Sequence, residues 1–344
     1  MKLLVVTQQV GLTDPNLGFF HRWLEKLAEG ADLFVIANQA GNYKLPENVK
    51  IYSLGKERGK WRIARFLRYR FLLLRILPQV QGVFFHMCPE YVLAAWPLNF
   101  VFRRKSILWY THREVSWELR LAARLVDRIF TASRESFRLS SKKVVISGHG
   151  IDLAHFKSQA PRASDGTLKL LAVGRVSPSK DLMFLIEAVA LLRGKNIAKK
   201  IRLDVVGAPI TEADFAYQKG LKELIANKGL SKTVAFLGPK LYDEMPAVYA
   251  GHDLLLHASE TGSIDKVVIE AMAAGLPVLT SSEAFYDVLP EKYLLKNKRP
   301  EEFAGKIVVN QNASRDLSLR GEVIKNHNLD NLTAAIINAF QDSK

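Results

Sequence analysis

Arg175 and Lys180 lie in one short segment, Val173-Gly174-Arg175-Val176-Ser177-Pro178-Ser179-Lys180-Asp181, between an apolar run and a helical pattern over Leu182 to Leu192. Gly174 permits a tight exit from a strand, and the two cations would project at a helix start. Such a site suits a diphosphate, because charge-assisted hydrogen bonds and the helix dipole act on the same anion. A surface loop with solvated charges is the competing reading. Downstream, His257 to Val278 reads as strand, polar turn, helix, glycine, strand. A helix beginning near Asp265 would aim backbone N–H groups at a ligand, with Glu270 one turn inside and able to accept from ribose hydroxyls. Otherwise Glu270 pairs with a neighbouring cation, and Asp265 is simply the N-cap.

The elements that must position these residues follow a regular alternation. Leu3 to Thr7, Leu33 to Ala37, Val83 to His86, Ile107 to Tyr110 and Ile129 to Ala132 read as buried strands, with helical periodicity between them, notably over Leu17 to Ala28 and Val115 to Val126. A second round starts at Leu168: Leu168 to Val173, Leu203 to Val206, Val234 to Leu237, Asp253 to His257 and Pro277 to Thr280 are strand-like, and Asp181 to Leu192 and Leu241 to Tyr249 are amphipathic. The expected fold is α/β, with two Rossmann-like domains facing across a cleft at the carboxyl edges of their sheets. Residues 1–157 form the first domain, the breaker-rich stretch 158–167 the linker, and 168–328 the second domain. Residues 329–344 are expected as a C-terminal helix that returns to the first.

Composition bounds the function. The chain has 344 residues, 48% of them hydrophobic and 24% charged, which excludes wholesale disorder. Its one cysteine, Cys88, excludes an internal disulfide or a cysteine-based zinc site, and reads as a small buried hydrophobe. No apolar run reaches the roughly 20 residues that span a bilayer, and the N-terminus lacks the apolar core of a secretion signal, so a cytoplasmic protein is expected.

The net charge of +15 is concentrated in residues 1–155, which hold 24 basic and 12 acidic residues. Between Lys50 and Arg75, cations including Arg62, Arg65, Arg68 and Arg70 interleave with aromatic and aliphatic residues. Read as a helix, the stretch has a basic face opposite an apolar one, which suits an anionic membrane surface or, alternatively, a core-packed helix with a solvated basic face. Nucleic acid is a poorer partner, since no reading motif accompanies the charge.

Gly174-Arg175 with Lys180, Val234-Ala235-Phe236-Leu237-Gly238 with Tyr249, and Glu270-Ala271-Met272-Ala273-Ala274-Gly275-Leu276-Pro277-Val278 resemble, in order and spacing, the retaining glycosyltransferases of GT-B fold, family 4. Tyr110-Thr111-His112 and His149-Gly150-Ile151-Asp152-Leu153 with Phe156 extend the likeness over essentially the whole chain. The resemblance implies that Arg175 and Lys180 hold the donor diphosphate beside Gly174, that Glu270 holds the ribose, and that the backbone at Lys266 and Val267, with the Gly262-Ser263 turn, meets the phosphates. Gly207 and the turn Pro239, Lys240, Leu241 would border the base. His112 would sit by the transferred sugar, and Asn16 and Gly18 on the acceptor side.

Two departures stand out. The family's two glutamates have seven residues between them, and counting back from Glu270 lands on Gly262; either Glu260 reaches the sugar from a longer loop or Asp265 contacts it. The first loop, Asp14-Pro15-Asn16-Leu17-Gly18, lacks the family's common Gly-Gly pair. The expected activity is transfer of a sugar from a nucleotide-diphosphate donor to a glycan or lipid-linked acceptor with retention, in cell-envelope or polysaccharide synthesis. The nucleotide sugar is a co-substrate, and no cofactor or metal is expected, since the chain has no Asp-x-Asp motif. The competitors are a nucleotide-sugar epimerase of the same fold, and a catalytically silent module binding anionic lipid or glycan.

Overall fold

The computed structural model describes residues 1–14, 17–158, 160, 163, 165–194, 200–313 and 315–342. The chain divides into two compact units, Met1–Asp152 with His327–Lys344, and Leu153–Asn326.

The first unit is a parallel sheet in the order β3-β2-β1-β4-β5-β6-β7. Its strands are β1 (Lys2–Val10), β2 (Asp32–Ala40), β3 (Val49–Ser53), β4 (Gly82–His86), β5 (Lys105–Trp109), β6 (Arg128–Thr131) and β7 (Val144–Ile146). The central strands are nearly continuous apolar runs because helices cover both faces of a parallel sheet; Leu3 to Val6 and Val83 to Phe85 are buried without alternation. These helices are α1 (Gly18–Ala28), α2 (Arg62–Ile76), α3 (Pro89–Val101) and α4 (Trp117–Leu125). Trp23 of α1 packs against Trp109 and His86 and donates its indole N–H to the Gly150 carbonyl at 3.0 Å. Cys88 is buried, its thiol 2.9 Å from the His86 carbonyl.

The second unit is a five-stranded parallel sheet, β10-β9-β8-β11-β12. Its strands are β8 (Thr167–Val173), β9 (Lys200–Val206), β10 (Val234–Gly238), β11 (Leu254–His257) and β12 (Val278–Thr280). The helices here are α5 (Leu182–Ala190), α6 (Glu212–Asn227), α7 (Met245–Ala250), α8 (Lys266–Ala273), α9 (Pro300–Asn310) and α10 (Leu317–Asn326). The last helix, α11 (Leu329–Gln341), belongs to the first unit, where Leu332, Ile336 and Ala339 join the core beside α1.

Two strands were not evident from the sequence. Both β3 and β7 are short, lie at sheet edges and are only partly buried, so they carry no continuous apolar run. A second difference concerns α2. Its core-facing side is Tyr69, Leu72, Leu73 and Ile76, yet Ile63, Leu67, Phe71 and Leu74 form another apolar stripe on the side away from the core, 73, 61, 62 and 52% exposed. Helix geometry sets Arg68 and Arg75 along one flank of this stripe and Arg70 along the other. The helix is therefore apolar on two sides with cations between, rather than split into one basic and one apolar face. Among the described residues no helix is long and apolar enough to cross a membrane.

Candidate active site

The carboxyl ends of the second sheet are knit closely. The Gly174 N–H donates to Val206, that of Val176 to Ala208, and that of Gly207 to Gly238. Gly207 has φ 139° and a Cβ there would fall 1.9 Å from the Gly174 carbonyl oxygen, so only glycine lets the two loops cross. The β8 loop then turns through a short 3-10 segment, Pro178–Lys180, into Asp181, whose carboxylate caps α5 by accepting the Phe184 N–H.

Lys180 points back across the strand ends. Its ammonium donates to the Asp265 carboxylate at 2.7 Å and lies 3.4 Å from the Ser259 hydroxyl. The same Asp265 oxygen is 2.7 Å from His257 Nε2, and His257 Nδ1 is 2.8 Å from the Thr280 hydroxyl, which accepts the Ser282 N–H. An ionised carboxylate only accepts, so Nε2 donates to Asp265; with the ring neutral, Nδ1 accepts from the Thr280 hydroxyl. The chain Thr280, His257, Asp265, Lys180 thus fixes the geometry at the ends of β11 and β12. Burial alone would raise the Asp265 pKa; the His257 hydrogen bond and the Lys180 charge outweigh it and hold the carboxyl well below its usual range.

Asp265 does occupy the N-cap position of α8, but its side chain makes no capping hydrogen bond. The expectation of a simple N-cap is corrected: the carboxylate is spent on Lys180 and His257, the stronger, charge-assisted partners. Glu260 has gone elsewhere. It is more than half exposed and pairs with Lys298 at 2.5 Å, and Lys298 also holds Asp181 at 2.6 Å.

One turn into α8, Glu270 is buried with the Tyr249 hydroxyl 3.0 Å from Oε2 and 3.2 Å from the Val267 carbonyl. Burial pushes the Glu270 carboxyl up to about 7 and pulls the Lys266 ammonium, one turn before it, down to about 7; their mutual attraction opposes both shifts without cancelling them. After α8, the helix closes through Gly275 at φ 72°, where a side chain would press on Ser158 Oγ at 3.0 Å.

Arg175 makes a bidentate pair with buried Asp214, Nε to Oδ2 at 2.8 Å and Nη2 to Oδ1 at 3.1 Å, while Asp214 also accepts the Thr211 N–H in a capping box and the Ile210 N–H before it. The Arg175 hydrogen bond is the main reason the Asp214 carboxyl is held well below the usual range. Asp214 was not singled out from the sequence. Its signal was there, as the third residue of a helix whose cap is Thr211, but nothing in the sequence placed it opposite Arg175.

The Pro239–Leu241 turn follows β10; Lys240 pairs with Glu244 at 3.0 Å, and the next residue, Tyr242, stacks on His155 at 4.5 Å. Gly262 turns with φ 61° and is followed by Ser263. His112 belongs to the first unit, exposed beyond β5, with Nδ1 accepting the Glu114 N–H at 3.2 Å. Gly18 opens α1 and donates its N–H to the Asp14 carbonyl. Asn16 lies outside the described residues. Of the sequence candidates, the structure joins Lys180 to Asp265 and sets Lys266, Val267 and Glu270 on the helix that Asp265 begins. Among the described residues no cluster of three or more His, Cys, Asp or Glu side chains is arranged to hold a metal.

Residues 167–309, which include Arg175, Lys180, Asp265 and Glu270, match the family model described as glycosyl transferases group 1. The second half of the chain is thus similar to that family. Among curated relatives, the D-inositol 3-phosphate glycosyltransferase of Rhodococcus opacus is 33% identical over 140 residues, covering 39% of this chain and 31% of that protein. The enzyme of the same name from Rhodococcus erythropolis is 28% identical over 197 residues, 54% of this chain and 44% of that protein. The chain thus matches less than half the length of these relatives. Solved structures match throughout: Anabaena HepE in complex with UDP and glucose aligns over 100% of both chains with TM-score 0.76 at 16% identity. WaaG, a glycosyltransferase involved in lipopolysaccharide biosynthesis, aligns over 100% of both with TM-score 0.67 at 13% identity. The fold is GT-B, built from two Rossmann-like units.

Proposed function

We propose that the chain is a glycosyltransferase that moves a sugar from a nucleotide-diphosphate donor to a hydroxyl-bearing acceptor, with the anomeric configuration retained. The observation that carries this is the Lys180–Asp265–His257 network at the start of α8, with buried Glu270 one turn behind it. A cation held by a largely buried carboxylate at a helix N-terminus suits a diphosphate as negative charge gathers on it. Glu270 suits the paired hydroxyls of a ribose. When the bond from the anomeric carbon to the diphosphate breaks, its electron pair leaves on the diphosphate, where Lys180, Arg175 and the first N–H groups of α8 stabilise it; the acceptor oxygen bonds to the same carbon and its proton passes to an oxygen of the departing diphosphate. His112 is assigned to the sugar, and no divalent metal is required in this scheme. Of the two carboxylates we assign Asp265 to the sugar, because it is held at the start of α8 by Lys180 and His257, whereas Glu260 is more than half exposed and turned to Lys298.

The outward stripe of α2, with Trp61 before it, supports attachment of the first unit to an anionic membrane surface, and with it a lipid-linked acceptor.

A thermal-shift screen of nucleoside diphosphates tests the donor site, beginning with UDP because HepE was crystallised with it. A nucleoside diphosphate should stabilise the protein, and Lys180→Ala should lose about 10 to 150-fold in its affinity, the equivalent of one charge-assisted bond of about 1.5 to 3 kcal/mol. No stabilisation by any nucleoside diphosphate or nucleotide sugar would remove the proposal.

A further inference from the structure

The first unit holds a cavity of about 370 Å³ that none of the donor chemistry uses. It opens at the carboxyl ends of β1, β2, β3 and β4, and its wall is made by Gln8 of β1, Asn38 of β2 and Glu90 in the first turn after β4. The sheet order reverses direction between β1 and β4, and open α/β sheets bind ligands at that crevice. Across the cavity, α2 contributes Arg62 and Arg65.

These polar groups form one oriented chain. Arg65 Nη1 donates to Asn38 Oδ1 at 2.5 Å, Asn38 Nδ2 donates to Gln8 Oε1 at 3.2 Å, and Gln8 Nε2 donates to Glu90 Oε1 at 2.8 Å. Each member is held in orientation by the next, from a cation at one end to a carboxylate at the other. Arg65 Nε remains buried with no hydrogen-bond partner. Arg65 lines the cavity together with Arg62, so a ligand anion there meets guanidinium donors. Two cations face one carboxylate, so the cavity has a surplus of positive charge. Phe66, Tyr69 and Tyr91 line the rest, Tyr69 and Tyr91 packed edge to face at 5.0 Å, which offers apolar walls for the carbon faces of a ring.

We propose that this cavity binds a sugar-sized, hydroxyl-bearing ring with one anionic substituent, the anion on the Arg65 and Arg62 guanidinium groups and the hydroxyls on Glu90, Gln8 and Asn38. The volume, at the low end for ligand pockets, fits a single ring rather than an oligosaccharide. Resting on the reading of the chain as a glycosyltransferase, the bound ring is the head of the acceptor. A phosphate or a carboxylate would satisfy the same donors.

The test uses the full chain without any donor and follows arginine Nε–H resonances by NMR, the Arg65 signal being the one that disappears in Arg65→Lys. Glucose 6-phosphate or glucuronate should shift that signal in a saturable titration, and which of the two does so identifies the anion. Glucose and inorganic phosphate should each bind at least about tenfold more weakly than the better anionic sugar, since each lacks half of the contacts. Arg65→Gln should lose about tenfold or more in that affinity while UDP binding is retained, and Lys180→Ala should leave it unchanged. If neither anionic sugar moves the Arg65 signal, or if inorganic phosphate competes equally, the assignment falls. Sugar binding in a protein that ignores every nucleoside diphosphate would overturn the transferase reading and leave the cavity's ligand class standing.

Discussion

Asp265→Asn is the perturbation that most directly separates a donor-phosphate site from a merely structural ion pair. In the parent, Asp265 lies 2.7 Å from Lys180 and 2.7 Å from His257, with Lys180 and Asp265 only 19% and 15% exposed. Removing one partner of a buried pair leaves the other charge uncompensated, which costs roughly 3 to 5 kcal/mol. For a unit of this size that is a fall in Tm of about 6 to 20 °C. A diphosphate would replace the lost anion, and would no longer be repelled by the Asp265 carboxylate. UDP should therefore bind Asp265→Asn at least about tenfold more tightly than the parent, a gain of about 1.4 kcal/mol, and should restore part of the lost Tm. Differential scanning fluorimetry and calorimetry with and without UDP measure both quantities. The double variant Lys180→Met, Asp265→Asn removes both charges; it should be more stable than Asp265→Asn alone and should lose the UDP response. A variant less than about 1 kcal/mol below the parent, or one that binds UDP no better, would refute the reasoning.

Glu270→Gln should weaken UDP binding about tenfold or more while leaving inorganic diphosphate unchanged, because the ribose is its proposed partner; equal losses for both ligands would point to a structural role. Its pH signature has a defined sign: with the Glu270 carboxyl raised from 4.5 to about 7, its contribution to stability is present below 4.5 and lost as pH rises to about 7. Lys266, lowered from 10.5 to about 7, adds stability as pH rises from about 7 to 10.5, so the pair gives the parent a dip near pH 7 whose acid side is absent from Glu270→Gln in urea titrations. Activity should survive EDTA; loss on chelation that manganese restores would overturn a metal-independent mechanism. The parent should sediment with anionic but not neutral vesicles at low salt, each nearby cation adding about 1 kcal/mol. Leu67→Ser with Phe71→Ser, on the exposed stripe, should abolish sedimentation without lowering Tm, and binding that persists in this variant would remove α2 from the membrane.

The sequence alone determined the alternation of strands and helices, because buried parallel strands are continuous apolar runs and the helices between them carry a 3.6-residue period. All ten strands named from those runs are present, within a few residues of their expected ends. Local chemistry was equally legible: Lys180 in a loop before a helix, and Glu270 inside the helix that follows β11, are facts of spacing. What tertiary structure decided was partnership. Nothing in the sequence links Asp265 to His257 and Lys180 over Glu260, or Arg175 to Asp214, because an ion pair depends on which strand ends meet, and strand order does not follow chain order. The cavity in the first unit has the same origin. Gln8, Asn38, Arg65 and Glu90 are separated by up to 82 residues and became one chain of hydrogen bonds only when β2, β1 and β4 aligned in the sheet. The two-sided character of α2 was also invisible, since a period shows that apolar residues recur and only packing shows which of them the core covers.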